Sequence, residues 1–184
     1  LVDLRNADEH EAEAANRPSE LVTVAVPLED GLREDAEFTR WERSGVLGTP
    51  LYYGAFLSRW PERAAAAVAA VAHARSGGVL ICCGHGRDRT GLVVMVLLAL
   101  VGVTPDDIAA DYELSADRLR PFCAQLGHGD ESTKINEVLA RENTSARAAI
   151  VTTLAPLDVR TRLRAGGLSD DDLAVLRARL IGPA

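Results

Sequence analysis

The chain has 184 residues, 47% of them hydrophobic and 26% charged, which excludes general disorder and predicts one globular domain with a buried core over residues 1–184. The formal net charge of −7 argues against nucleic acid or an anionic membrane as the main partner, because both require clustered Lys and Arg. The longest uncharged run, residues 90–105, contains two glycines and a proline and is shorter than the roughly 18 to 20 apolar residues of a membrane span. We therefore expect no stable membrane insertion.

The first third of the chain predicts a β-α-β unit followed by an irregular segment. Residues 1–4 and 21–26 are apolar and predict short strands, and the acidic, Ala-rich stretch between them predicts a helix. Arg5 and Glu9 have the i,i+4 spacing of a helical ion pair. Residues 27–58 carry two prolines, four glycines and several aromatics without clean periodicity, which predicts a mostly loop, lid-like segment with some helix.

The middle of the chain predicts a strand between two helices. Residues 62–75 predict an Ala-rich helix that ends at the glycine pair 77–78. Residues 79–83 predict the strand, and residues 90–101, which are apolar on every side, predict a helix buried at the centre of the domain.

The remaining segments predict further helices. Thr104 begins a helix as a hydroxyl cap followed by proline and two acids, and Ser169 begins another. The first helix is expected to close near Asp111, Tyr112 and Ser115, and apolar residues recur at helical spacing in the last one, at Leu173, Leu176 and Leu180. With residues 130–184 as a helical C-terminal part, the chain predicts an α/β fold with a central, mostly parallel sheet flanked by helices.

The segment between the 79–83 strand and the central helix carries the chemistry. Cys83 and Arg89 are separated by five residues, two of which, Gly84 and Gly86, allow a concave backbone that can cradle a tetrahedral oxyanion. A nucleophilic thiolate at Cys83 would be stabilised by backbone N–H groups, by the positive end of the following helix and by Arg89. Thr90 is placed to donate a hydroxyl hydrogen bond to the Cys83 sulfur. The predicted phosphate-binding residues are Gly84, His85, Gly86, Arg87, Asp88 and Arg89.

Protonation of a leaving group requires an acid, and two aspartates compete for this role. Asp88 is nearest in sequence, and a bound dianion would keep a proton on it by like-charge repulsion. Asp30 follows the second predicted strand. The alternative interpretations are a loop-shaping acceptor for Asp88 and a turn aspartate for Asp30.

The Cys-x5-Arg loop followed by Thr-Gly resembles that of the cysteine-dependent protein tyrosine phosphatases. The closer resemblance is to bacterial tyrosine phosphatases with the signature His-Cys-x-Ala-Gly-Lys-Asp-Arg-Thr-Gly. Three departures from that signature are Cys82 in place of histidine, His85 in place of alanine and Arg87 in place of lysine. Matching segments along the chain are Asp-Leu-Arg at 3–5, Asp-Arg-Thr-Gly at 88–91, Ala-Asp-Tyr-Glu-Leu-Ser at 110–115 and Gly-Gly-Leu at 166–168.

The resemblance implies a tyrosine phosphatase fold and hydrolysis of phosphotyrosine in proteins, with relatives that extend to phosphoserine, phosphothreonine and phosphoinositides. It implies Cys83 as nucleophile, Arg89 as transition-state clamp and Asp88 as general acid. No metal or organic cofactor is expected. Two alternatives remain open: a catalytically weak module that binds a phosphorylated partner and, more distantly, a sulfurtransferase or arsenate reductase.

The cysteines and aromatics leave further alternatives. Three cysteines, two of them adjacent, make a poor disulfide framework, so a cytoplasmic protein is expected, although the start at Leu1 leaves a secretory leader open. Cys82 is either a buried strand residue or the partner of an oxidised Cys83. An aromatic cluster either walls a substrate slot or packs under a loop; its members are Tyr52, Tyr53, Phe56 and Trp60.

Overall fold

The computed structural model describes residues 1–9, 18, 20–125, 127 and 131–182. Its sheet consists of three parallel strands in the order β2-β1-β3, which are β1 (Val2–Asp3), β2 (Val24–Ala25) and β3 (Ile81–Cys82). Val2 pairs with Val24 on one side and Ile81 on the other. The strands are shorter than predicted because regular pairing covers only two residues of each, with further backbone hydrogen bonds from Leu4 and Val26.

Helices cover the sheet and confirm the predicted α/β class with a helical C-terminal part. They are α1 (Ala36–Ser44), α2 (Tyr53–Arg59), α3 (Pro61–Ala72), α4 (Asp88–Leu100), α5 (Pro105–Gln125), α6 (Glu131–Arg141), α7 (Ala146–Leu154), α8 (Val159–Ala165) and α9 (Asp170–Ile181). Short 3-10 turns lie at Ala7–Glu9, Leu32–Glu34, Val46–Gly48 and Pro50–Tyr52. Within the described ranges, no helix is long and apolar enough to cross a membrane.

The buried helix α4 organises the core. Its side chains are apolar on most faces, and it contacts α3, α5, α8 and β3. Because apolar surface is removed from water on so many sides, α4 is held rigidly, and the loop that precedes it has a fixed end. The residues of α4 that are buried in the core are Leu92, Val93, Met95, Val96 and Leu97.

The helix caps fall where the sequence predicted them. The Thr104 hydroxyl accepts a hydrogen bond from the Asp107 N–H at 3.2 Å. Ser169 forms a reciprocal capping box with Asp172 at the start of α9. In α9, Leu173 and Leu176 are buried, whereas Leu180 is 41% exposed, so the apolar face ends before the last turn.

Two structural predictions were wrong. The segment 27–58 is mostly helical from residue 32 onward rather than mostly loop, since short helices and 3-10 turns break the periodicity by which a longer helix is recognised in a sequence. Helix α5 does not close near Ser115 but continues through Pro121 to Gln125. Arg5 forms an ion pair with Asp3, at 2.9 Å, and its pairing with Glu9 stays a prediction. Between the first two strands, where a helix was predicted, Ala7–Glu9 forms a 3-10 turn, and residues 10–17 lie outside the described residues.

Candidate active site

The 83–89 loop connects the end of β3 to the first turn of α4. Gly86 adopts a left-handed backbone conformation, with φ at 71°, which glycine reaches without strain. Its N–H donates to Cys83 Sγ at 3.3 Å, and the Thr90 hydroxyl donates to the same sulfur at 3.3 Å. Two donors and the N-terminus of a helix therefore converge on the Cys83 sulfur.

Arg89 lies beside this loop and is held by a carboxylate from a distant part of the chain. Its two terminal nitrogens donate to the two Glu9 oxygens at 2.5 and 2.7 Å. Glu9 also accepts the Asn6 N–H at 2.8 Å. The hydrogen bonds from Arg89 hold the Glu9 pKa below its usual range, against the opposing effect of burial. Gly84 is the neighbour of this pair, since a Cβ there would lie 3.5 Å from Arg89 Nη2.

A second carboxylate, Glu29, faces the remaining edge of the Arg89 guanidinium. Glu29 Oε2 lies 3.6 Å from Arg89 Nε, and the Glu29 side chain is only 14% exposed. Burial raises the Glu29 pKa to about 7, and Arg89 only partly opposes this rise. The neighbouring Asp30 is exposed to solvent. The residue that the fold brings to Arg89 is thus Glu29, one position before the aspartate that the sequence indicated.

Asp88 is paired with the preceding residue. Its carboxylate accepts from Arg87 Nε at 3.2 Å and Nη2 at 3.3 Å, and its backbone oxygen accepts from the Tyr53 hydroxyl at 2.7 Å. Arg87 is buried, so its guanidinium packs into the domain rather than extending from the loop. His85 remains half-buried, with its ring edge-on to Phe122 at 6.4 Å between centroids.

Tyr53 and Tyr112 pack against Gly91, in the first turn of α4 after the loop. A Cβ at Gly91 would lie 2.8 Å from the Tyr53 hydroxyl and 2.9 Å from the Tyr112 ring. The first turn of α4 therefore rests directly on these rings. Tyr52, Tyr53 and Phe56 are fully buried in the core, so most of the aromatic cluster packs beneath the loop instead of lining an open slot.

A cavity of about 340 Å³ opens next to the loop, between α4 and α5. Gly86 and Thr90 form its end nearest the Cys83 sulfur, and Asp111 and Arg118 are exposed residues of its wall. The rest of its lining is largely apolar, from residues such as Val94, Met95, Ile108 and Leu119.

The structure brings together Cys83, Gly84, Gly86, Arg89 and Thr90, whereas Asp30 stands apart at the surface. Over the described residues, no group of three or more His, Cys, Asp or Glu side chains could hold a metal ion. The cysteines form no disulfide; they are Cys82, Cys83 and Cys123. No sequence motif marks Glu9 or Glu29. Their one sequence signal is that each follows a strand, because the carboxyl ends of parallel strands meet at one edge of a sheet.

A small parallel sheet flanked by helices, with a cysteine loop at the carboxyl end of a strand, is the fold of the protein tyrosine phosphatases. The model of the tyrosine phosphatase family matches residues 1–182, and the chain belongs to this family. A protein of Cupriavidus necator named "Putative tyrosine-protein phosphatase" is 34% identical over 129 residues. The similar region covers 66% of this chain and 46% of that relative, so the chain matches less than half of the relative's length.

Proposed function

We propose that this chain hydrolyses phosphomonoesters, with phosphotyrosine in proteins as the main substrate class, through a cysteinyl-phosphate intermediate. One observation carries the proposal: Cys83 Sγ receives hydrogen bonds from Gly86 N–H and Thr90 Oγ1, both at 3.3 Å, at the N-terminus of α4 and with Arg89 alongside. This arrangement stabilises a thiolate and a phosphoryl oxyanion at the same place. Family membership supports phosphatase chemistry over the sulfurtransferase and arsenate reductase alternatives.

In the first step, the Cys83 thiolate attacks phosphorus, an S–P bond forms and the P–O bond to the alcohol breaks. The electron pair leaves with the alcohol oxygen, which takes a proton from an acid. We assign this acid to Asp88, which begins α4 next to Arg89, and retain Asp30 as the competitor. Arg89 binds the equatorial oxygens as charge builds on them.

In the second step, water attacks the cysteinyl-phosphate. A P–O bond forms, the S–P bond breaks, and the electron pair returns to the Cys83 sulfur while the water proton passes to the base left by the first step. The Thr90 hydroxyl, 3.3 Å from the sulfur, stabilises the leaving thiolate. Phosphate departs and the resting site is restored, with no metal or organic cofactor in the scheme.

The surroundings of the loop support an organic phosphomonoester as substrate. The cavity that starts at Gly86 and Thr90 is largely apolar, which suits the ring of phosphotyrosine. Arg118 in its wall is a cation that suits an acidic peptide or a second phosphate, so we retain phosphoserine, phosphothreonine and phosphoinositides as further substrates. The three cysteines, which form no disulfide, favour a cytoplasmic location.

Turnover of an aryl phosphate tests this function. Cys83→Ser should lower kcat by at least about 10³-fold and Arg89→Ala by about 10²-fold to 10³-fold, since the first removes the nucleophile and the second an oxyanion donor. Cys82→Ser and Arg120→Ala are matched controls, and we expect them to keep activity. Binding of a phosphopeptide without turnover by the unaltered protein would refute the enzyme and favour the binding module.

The pH dependence of kcat tests the acid. On a substrate with a poor leaving group, Asp88→Asn should lose the basic limb of the profile, because that limb reports deprotonation of the acid. Asp30→Asn should retain it. Full activity of Asp88→Asn with loss of the limb in Asp30→Asn would transfer the role to Asp30.

A further inference from the structure

Glu9 and Glu29 lie against different nitrogen atoms of the Arg89 guanidinium. Glu9 binds the fork of the two terminal nitrogens, at 2.5 and 2.7 Å. The edge that carries Nε is the one left for a phosphoryl group, and Glu29 Oε2 lies on that edge at 3.6 Å. An oxyanion that reaches Arg89 from the loop must therefore share this edge with Glu29.

The charges of the site make an ionised Glu29 unfavourable to such an oxyanion. Arg87 and Arg89 are balanced by Asp88 and Glu9, each of which is in direct contact with one of them. An ionised Glu29 adds a negative charge before the dianion arrives, whereas a protonated Glu29 leaves these groups neutral in sum. Like charges at this range in a partly buried site repel strongly.

The groups packed around Glu29 offer it little compensation. Those that act on its carboxyl group are Arg89 and Asp88 of α4, Glu9 of the first 3-10 turn and Tyr52 of the turn before α2, of which Arg89 and Tyr52 favour the ionised form. Arg63 of α3 donates to the neighbouring Leu28 carbonyl, and Cys83 acts on Arg89. Arg89 is the cation among those that act directly on the carboxyl group, and it is already bound by Glu9. Burial thus dominates, and the pKa of Glu29 rises to about 7.

We propose that Glu29 is a proton-carrying residue of the phosphate site, which admits a tetrahedral dianion beside Arg89 only when its carboxyl group is protonated. In this state the Glu29 O–H donates a hydrogen bond to a phosphoryl oxygen while Arg89 Nε–H donates to another. When Glu29 is ionised, it competes with the dianion for Arg89 Nε. Binding of the dianion therefore takes up a proton, and this inference rests on the phosphate site of the proposed function.

Sulfate binding tests the inference without turnover. Sulfate is tetrahedral and stays a dianion across neutral pH, so its own ionisation does not contribute. Titration calorimetry would compare Cys83→Ser with Cys83→Ser/Glu29→Gln, because the serine removes thiol ionisation. With a Glu29 pKa of about 7, the protonated fraction falls from about 0.9 at pH 6 to about 0.1 at pH 8, so the affinity should weaken by about tenfold.

The Glu29→Gln variant decides the matter, since glutamine keeps the shape and donates a hydrogen bond at every pH. Between pH 6 and 8 the affinity of Glu29→Gln should weaken about tenfold less than that of the protein that retains Glu29, and at pH 8 it should take up close to one proton fewer per sulfate, measured in buffers of different ionisation enthalpy. Any proton that Asp88 takes up is common to both proteins and cancels in the comparison. Asp30→Asn, at an exposed neighbouring carboxyl, is the matched control and should keep the pH dependence. An equal pH dependence with and without Glu29→Gln overturns the role of Glu29 alone. Absence of sulfate binding in all variants at pH 6 overturns the phosphate site itself.

Discussion

The burial of Glu29 predicts a specific effect on the stability of the fold. The Glu29 pKa is raised from 4.5 to about 7, so the folded protein holds a proton that the unfolded chain releases between these values. The stability that this group contributes is fully present below pH 4.5 and is lost as the pH rises through about 7. A shift of this size corresponds to about 3 kcal/mol, and with Glu29 only 14% exposed, solvent screens little of it.

Glu29→Gln removes this titration while it retains the shape of the side chain. The free energy of unfolding of Glu29→Gln minus that of the unaltered protein should therefore increase by about 3 kcal/mol between pH 4.5 and pH 8. Urea unfolding followed by circular dichroism, with both proteins measured in the same buffers, gives this difference at each pH. Any constant effect of the amide cancels in the comparison. A difference that stays the same at all pH values would refute the reasoning.

An acid that destabilises the fold at neutral pH is a mark of function rather than of packing. Glutamine at position 29 would reduce the stability of the fold less at neutral pH than an ionised glutamate does, and substitutions that stabilise a fold are readily available to evolution. Perturbed carboxyl groups beside a cation also concentrate at functional sites. The stability experiment and the sulfate titration therefore test the same Glu29 proton independently. The first measures its effect on unfolding without ligand, and the second its effect on sulfate binding.

Three further predictions concern the surroundings of the sulfur and of Arg89. Glu9→Gln should loosen Arg89, lowering kcat by about tenfold to 10²-fold, with Glu9→Asp between the two in an aryl phosphate assay. Gly91→Ala should destabilise the protein by about 1 to 3 kcal/mol in thermal unfolding, because its Cβ would overlap the Tyr53 hydroxyl and the Tyr112 ring, whereas Gly48→Ala, with no atom within 4 Å, should stay within about 0.5 kcal/mol. Thr90→Val removes a donor to the nucleophilic sulfur, so kcat on an aryl phosphate should fall by about tenfold, and Thr90→Ser should restore it; an unchanged kcat would contradict the role of this hydrogen bond.

Local patterns account for the features that the sequence predicted well. The helix caps at Thr104 and Ser169 are made by side chains that reach backbone groups three residues away, so the relevant atoms are close in sequence. The apolar run of α4 is likewise a contiguous signal. The prediction for segment 27–58 was wrong because its helices are short and depend on aromatic packing, as at Phe38 and Trp41, which a local pattern does not contain.

The same distinction divides the candidate site. The 83–89 loop was determined by sequence alone, since its cysteine, its glycines and Thr90 act on one another across at most seven residues. Arg89, in contrast, is paired with Glu9, 80 residues away, and lies 3.6 Å from Glu29, which follows the strand at the other end of the strand order. The strand order β2-β1-β3 brings the three segments to one edge, and burial there sets the protonation of Glu29. The nucleophile and its oxyanion loop are thus determined by one short, contiguous segment of the sequence. Which carboxylates meet them, and with how many protons, depends on distances and on exclusion of water, and both exist only in the folded protein.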